Sequence, residues 1–191
     1  MMKRVIITHD AQEAASLCEF SIKHDDECLA ILRPTEICAL ITTSDTTDKD
    51  FVEANGIKTV RMGNSGGCIV AFPDNLEMGY FSKDIEGTFL ERLTNQIVDY
   101  LKSRGLNVSL DNNDVLIDGT YKVFSTSKAK YNGTLLFGAI HVSINCDAEL
   151  VDKICSKPMK KIPKGLSEYG ITSDEMLDLI VGLYKDETPN I

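Results

Sequence analysis

Apolar and polar positions change period several times along the chain, and each change marks an element. Val5 to Thr8 reads as a short strand, and Asp10 is placed to cap a helix over Ala11 to Ile22 in which Ala14, Ala15, Cys18 and Ile22 share a face. Cys28 to Arg33 and Glu36 to Ile41 predict two strands turned by Pro34, a hairpin. The polar run Thr42 to Lys49 predicts a loop in which Thr46 or Thr47 caps a short helix through Ala54, and Asn55-Gly56 ends that helix before a strand over Ile57 to Arg61. The chain then enters Arg61-Met62-Gly63-Asn64-Ser65-Gly66-Gly67-Cys68-Ile69-Val70-Ala71-Phe72, a glycine-rich turn feeding a β-branched run. Gly63, Gly66 and Gly67 can take φ > 0 and admit a ligand close to the backbone, while Ile69 and Val70 favour a buried strand. Taken alone, the turn fits a bare hairpin loop as well as a ligand cradle.

Further on, Leu76, Met78 and Tyr80 alternate as in an antiparallel strand. Apolar positions 85, 89, 90, 93, 97, 100 and 101 predict a long helix over Ile85 to Arg104, with Gly105 as its stop. The second half predicts strands over 108–110, 114–117, 120–126 and 134–145, with turns at 111–113, Asp118-Gly119 and Asn132-Gly133. Short helices follow over 147–155 and 173–185, the last introduced by a capping box from Thr172 to Glu175. The pattern predicts an α+β fold, a largely antiparallel mixed sheet with flanking helices, in one domain over 1–191.

Composition narrows the function. With 43% hydrophobic and 26% charged residues in 191, the chain has the make-up of a soluble domain. No apolar run reaches membrane-spanning length, and the first ten residues lack the features of a signal peptide, so cytoplasmic residence and no membrane partner are expected. Cys18, Cys28, Cys38, Cys68, Cys146 and Cys155 form no C-x-x-C pair and are read as reduced packing residues, with no metal site. A net charge of -9 argues against a general nucleic-acid binder. Between Lys122 and Lys164, however, eight lysines face three acidic residues, a local +5 that leaves -14 for the remainder. That segment suits a local anion site or a solvated lysine face. G-x-G-x-x-G, P-loop, G-x-S-x-G and H-E-x-x-H motifs are all absent. His9, His24 and His141 are too dispersed to propose a triad or a metal cluster and read as structural or surface histidines.

The stretch from Arg61 to Val70 resembles the arginine and Ser-Gly-Gly-Gly signature of lipoate-protein ligases and their relatives in the biotin/lipoyl ligase and octanoyltransferase superfamily. Asn75 resembles the asparagine that follows the signature, and Asn113-Asp114 with Asp118-Gly119-Thr120-Tyr121-Lys122-Val123 is similar to the family's Asn-Asp strand and lysine hairpin. Gly133 to Ile140, Gly138 included, resembles the strand crossing behind the lysine, and Lys164-Gly165 with Gly170-Ile171-Thr172 resembles the end of the catalytic domain. The resemblance spans about 28–185 and implies a biotin/lipoyl ligase catalytic-domain-like fold with no accessory C-terminal domain.

It also implies a chemistry. Lipoate, octanoate or biotin would be activated with ATP and Mg2+ to an acyl-adenylate, or transferred from a preformed donor, onto a lysine of an acceptor protein domain. Lys122 would be catalytic, set against the carboxylate or α-phosphate. Backbone N–H groups of Ser65, Gly66 and Gly67 would line the opposite wall, with Arg61 as a second cation and Asn113 or Asp114 orienting the ligand or a magnesium ion. Ile69, Ala71 and Val123 would line an apolar slot. Departures from the family pattern are Cys68 for the third glycine, Met62 for a second arginine, Phe124 where small residues follow the lysine, and Phe137 for a histidine before Gly138. The stretch between Lys164 and Gly170 is short as well. A cysteine nucleophile, as in one branch of octanoyltransferases, would fall to Cys68 or Cys155. Two classes therefore stay open: a cofactor-attaching enzyme, or a catalytically inactive family member that binds a small molecule or a protein, with Phe124 or Phe137 plugging the cleft.

Overall fold

Strands and helices alternate through residues 4–41, 47–62, 67–131, 133–157 and 159–186, which the computed structural model describes. In order they are β1 (Arg4–Thr8), α1 (Ala11–His24), β2 (Cys28–Leu32), β3 (Cys38–Ile41), α2 (Lys49–Ala54), β4 (Lys58–Arg61), β5 (Cys68–Ala71), β6 (Leu76–Ser82) and α3 (Thr88–Ser103). β7 (Val108–Asp111), β8 (Asp114–Ile117), β9 (Tyr121–Tyr131), β10 (Leu135–Val142), α4 (Ala148–Ile154), β11 (Ile162–Pro163), a 3₁₀ turn (Leu166–Tyr169) and α5 (Ser173–Asp186) follow. The large sheet runs β1-β2-β6-β10-β9-β8-β7, with β11 added to β9, and the small one runs β4-β3-β5. Only β1–β2, β9–β11 and β3–β4 pair in parallel among the described strands, so the sheet is largely antiparallel, as expected.

Local chemistry accounts for most boundaries. The Asp10 carboxylate accepts from the Gln12 and Glu13 amides at 2.7 and 2.9 Å and starts α1. Asp48, not Thr47, caps α2 by accepting from Phe51 N at 3.0 Å, while Thr47 forms a β-bridge with Cys155; Thr46 lies outside the described residues. Asp118 and Gly119 take φ of 53° and 66°, the left-handed pair that a tight hairpin between β8 and β9 demands.

The hairpin expected around Pro34 does not form. β2 lies inside the large sheet, parallel to β1 and antiparallel to β6, whereas β3 is the centre of the small sheet. Every residue of both strands is buried, the mark of runs covered on two faces rather than of a hairpin with one wet side.

The main core packs α3 and α5 onto one face of the large sheet. Tyr80 of β6, Phe89 of α3 and Tyr184 of α5 form a cluster with ring centroids 4.6, 5.6 and 6.1 Å apart. On the other face, Ala14, Ala15 and Cys18 of α1 and the small sheet leave space, because those contacts are made by short side chains.

The capping box of α5 is present as predicted: Thr172 N donates to Glu175 Oε2 at 2.8 Å and Glu175 N donates to Thr172 Oγ1 at 3.2 Å. Arg104, just past the end of α3, adds an ion pair at 2.8 Å. Backbone and side-chain hydrogen bonds from Thr172, helped by Arg104, hold the Glu175 carboxyl down to about 2, below its ordinary 4.5. Since the folded value lies below the unfolded one, this contribution is complete above pH 4.5 and vanishes as pH falls through 2. Urea midpoints measured from pH 6 to 2 should fall more steeply for the native chain than for Glu175→Gln; equal slopes would remove Glu175 from the account.

Candidate active site

The space between α1, the small sheet and the large sheet is floored by a row of small side chains. Ala30 of β2 pairs with Gly79 of β6, Gly79 with Ala139 of β10, and Ala139 with Ser127 of β9, so four adjacent strands contribute one short residue each. These residues line an apolar slot of about 80 Å³, walled by Met62, Leu40, Ile69 and Phe137. In the next row toward β3 and β5, Leu32, Glu77, His141 and Ser125 stand side by side on the same four strands, and all but Leu32 are polar. There the slot meets a second cavity of about 360 Å³, within the size range of ligand sites. Ile69 lines both spaces, and the Glu77–His141 pair links them, Glu77 lining the slot and His141 the larger cavity.

The larger cavity is basic. Lys122, Lys160 and Lys161 line it against the single carboxylate of Asp114, opposite Cys68, Cys146 and Cys155. Asp114 accepts from Lys122 at 3.0 Å and from Lys161 at 2.7 Å, and Lys161 also pairs with Asp111 at 2.7 Å. Burial pushes the Asp114 carboxyl up, but the two ammonium groups more than offset it and hold it below the usual carboxylate range. Three lysines thus stand around one cavity-lining acid on a chain of net charge -9.

A β-bulge shapes this wall. Val115 of β8 pairs with Phe124 and Leu116 with Lys122, so Val123 is an extra residue on β9. Simple alternation would put Phe124 on the side of Lys122. The bulge instead turns both Val123 and Phe124 into the main core, each 0% exposed, and returns Ser125 to the cavity. Phe124 therefore does not plug the cleft, and Val123 does not line the slot. Phe137 does line the slot, as a wall whose ring lies tilted 5.0 Å from that of Phe81, with room left beside it.

The other expected site residues divide. Gly67 lines the slot and Cys68 the basic cavity, so the end of the glycine turn and Lys122 do converge. Ser65 and Gly66 lie outside the described residues. Arg61 ends β4 on the surface and is not part of either lining. Met62 sits at the slot, where an apolar side chain suits an acyl chain better than a second arginine. Ala71 is buried beside Leu40 and Val60 and is not itself among the residues that line the slot. Asn113 belongs to a separate groove beside α3, with Thr94 and Lys128. Gly138 faces α3: a Cβ there would come within 2.8 Å of Leu90, so this glycine serves packing. Asn75 is wholly buried, and its Oδ1 accepts from the amides of Ile144 and Asn145 at 2.9 Å each, a clamp between the β5–β6 turn and the end of β10. Asp114 is occupied by two lysines, and no group of three metal-ligating side chains occurs among the described residues.

Sequence reasoning left His141 among the structural or surface histidines, and it left Glu77 unremarked. Parity was the available signal: His141 is two residues from Ala139 on one strand, hence on the same face.

The thiols differ sharply. Burial raises Cys18 and Cys38 to about 12. Cys68 and Cys155 hydrogen-bond to each other, which raises Cys68 and lowers Cys155. Limited iodoacetamide treatment followed by peptide mass mapping should label Cys155 before Cys18 and Cys38; preferential labelling of either buried thiol would contradict this assignment.

No protein-family model matches the chain, and neither does any curated protein. Solved structures do. P. falciparum LipL1 in complex with lipoate has a TM-score of 0.79 at 13% identity, the alignment covering 100% of this chain and 64% of that one. A bipartite lipoate protein ligase from Thermoplasma acidophilum, studied with its E2 lipoyl domain, has a TM-score of 0.72 at 19% identity, over 96% of this chain and 82% of that one. Lipoate-protein ligase A bound with ATP has a TM-score of 0.74 at 17% identity, over 96% of this chain and 84% of that one. Biotin protein ligases share the architecture. At such identities the likeness establishes the fold, that of the catalytic domains of lipoate and biotin ligases.

Proposed function

We propose that this chain is a lipoate-protein ligase-like enzyme that activates a medium-chain acyl group and passes it to a lysine on an acceptor protein domain. The observation that carries the reading is the adjacency of the two spaces: a narrow apolar slot and a cavity carrying three lysines share Ile69 as a wall and are bridged by the Glu77–His141 pair. An extended acid such as lipoate or octanoate places its tail over Ala30, Gly79 and Ala139 and its carboxylate near Lys122. Apolar lining supplies affinity for the tail, roughly 0.8 kcal/mol for each buried methylene. Fixed cations supply charge stabilisation for the head group and the α-phosphate of ATP.

In the first half-reaction the acyl carboxylate oxygen attacks the α-phosphorus of ATP, a P–O bond breaks, and pyrophosphate leaves. Lys122 and Lys161 offset the negative charge that gathers there. In the second half-reaction the acyl carbon passes to the lysine nitrogen and AMP leaves. Solved relatives in the same fold carry names that match these parts, a lipoate complex, an ATP complex and a lipoyl-domain partner. No helix among the described residues is long and apolar enough to cross a membrane.

The test is incubation with ATP, a lipoyl-domain acceptor, and lipoate, octanoate or biotin in turn, read by mass spectrometry of the nucleotide and the acceptor. Lipoate or octanoate should give acyl-AMP and an acylated lysine. Binding of the acid with neither product would assign the chain to the alternative, a catalytically inactive binding module on this fold.

A further inference from the structure

Glu77 lies in the middle of the large sheet with its side chain 5% exposed, and its Oε1 is 2.7 Å from His141 Nδ1. Its second oxygen, Oε2, has no hydrogen-bond partner among the described residues. Burial pushes this carboxyl up, while His141 and the charge of Lys122 pull in the other direction. An apolar residue here would cost the fold less than a buried carboxyl held by one imidazole. The arrangement does fix the ring: Nδ1 is engaged by Glu77, which leaves Nε2 as the nitrogen not held by that contact, on a side chain that lines the same cavity as Lys122.

We propose that His141, positioned by Glu77, is the general base that takes a proton from the acceptor lysine in the acyl-transfer half-reaction. The inference rests on the acyl-ligase reading and adds a catalytic group to it. A protein lysine arrives as an ammonium, with an ordinary pKa near 10.4 and no lone pair for attack. His141 Nε2 takes one proton. The freed amine attacks the acyl carbonyl, a C–N bond forms, and the C–O bond to the phosphate breaks with its electron pair leaving on AMP. A second proton passes from the nitrogen to solvent, giving the amide. Lys122 does not fill this role, because its ammonium is already a donor to Asp114 at 3.0 Å. Besides Glu77 on β6, the titratable groups around His141 are Lys122 on β9, Asp114 on β8, Cys68 on β5, Cys146, Cys155 and the Lys160–Lys161 pair.

Supplying synthetic lipoyl-AMP separates this step from activation by ATP. His141→Gln and Glu77→Gln are compared with the native chain for transfer to a lipoyl domain between pH 6 and 9, with lipoyl-AMP affinity measured independently and thermal melting as the folding control. Loss of a positioned base costs about 100- to 10,000-fold near neutral pH. The expected result for His141→Gln is a loss in that range with lipoyl-AMP affinity kept within about twofold, and a deficit that shrinks as pH rises and the lysine deprotonates unaided. Glu77→Gln should show the same pH trend in milder form. A rate equal to the native one, a deficit constant across pH, or a loss matched by weaker lipoyl-AMP binding would overturn the base. A native chain that makes acyl-AMP from ATP yet transfers nothing would overturn it too, whereas a native chain inactive in both assays would overturn the acyl-ligase reading itself.

Discussion

Lys122→Ala should abolish acyl-AMP formation, with a loss on the order of 100- to 1,000-fold, the usual cost of removing one preorganised charge-stabilising group. The geometry makes this the most informative single change in the cavity. Lys122 enters from β9 at a bulge that fixes its direction, and its side chain is about one third exposed, so truncation opens no core void. Asp114 keeps Lys161 as partner at 2.7 Å, so no carboxylate is stranded and the fold should be unaffected. Lys122→Arg should rescue poorly, because a planar fork does not replace a compact ammonium beside an α-phosphate. ATP–pyrophosphate exchange in the presence of lipoate reads the result directly; exchange at the native rate in the alanine variant would remove Lys122 from the chemistry.

The largest expected effect on stability is that of Phe89→Ala. Phe89 is 0% exposed and joins three elements, touching Tyr80 on β6 and Tyr184 on α5. Truncating a buried aromatic of this kind costs about 3 to 5 kcal/mol, from lost transfer energy and the cavity left behind. For a domain of this length that corresponds to a fall in melting temperature on the order of 10 °C. A smaller drop, under roughly 1 kcal/mol, would mean that the helical layer collapses into the vacancy.

Much of this fold could be read from short-range rules. Capping residues at Asp10 and Thr172, the Asp118-Gly119 turn and the apolar face of α3 each act within a few residues, and the elements they define are present. What failed depended on partners distant in sequence. β2 and β3 read as a hairpin because adjacency is the default for neighbouring strands, yet their continuous apolar runs belong to two sheets. The inward face of β9 was misjudged because one inserted residue reverses side-chain parity, and nothing in Lys122-Val123-Phe124 announces the bulge. The candidate site divided in the same way. The end of the glycine turn and Lys122 could be paired through resemblance alone, whereas Glu77 and His141, 64 residues apart, meet only once β6 and β10 are in register.

Asp114 serves two ammonium groups at once, and this sets how the cavity must change hands with an incoming anion. A phosphate that draws Lys122 toward itself does not have to strip the acid bare, because Lys161 stays behind as its counter-ion. Occupation is then an exchange of escorts rather than the breaking of a salt bridge: on the proposed reading, Lys122 can turn to a ligand while Asp114 keeps a counter-ion.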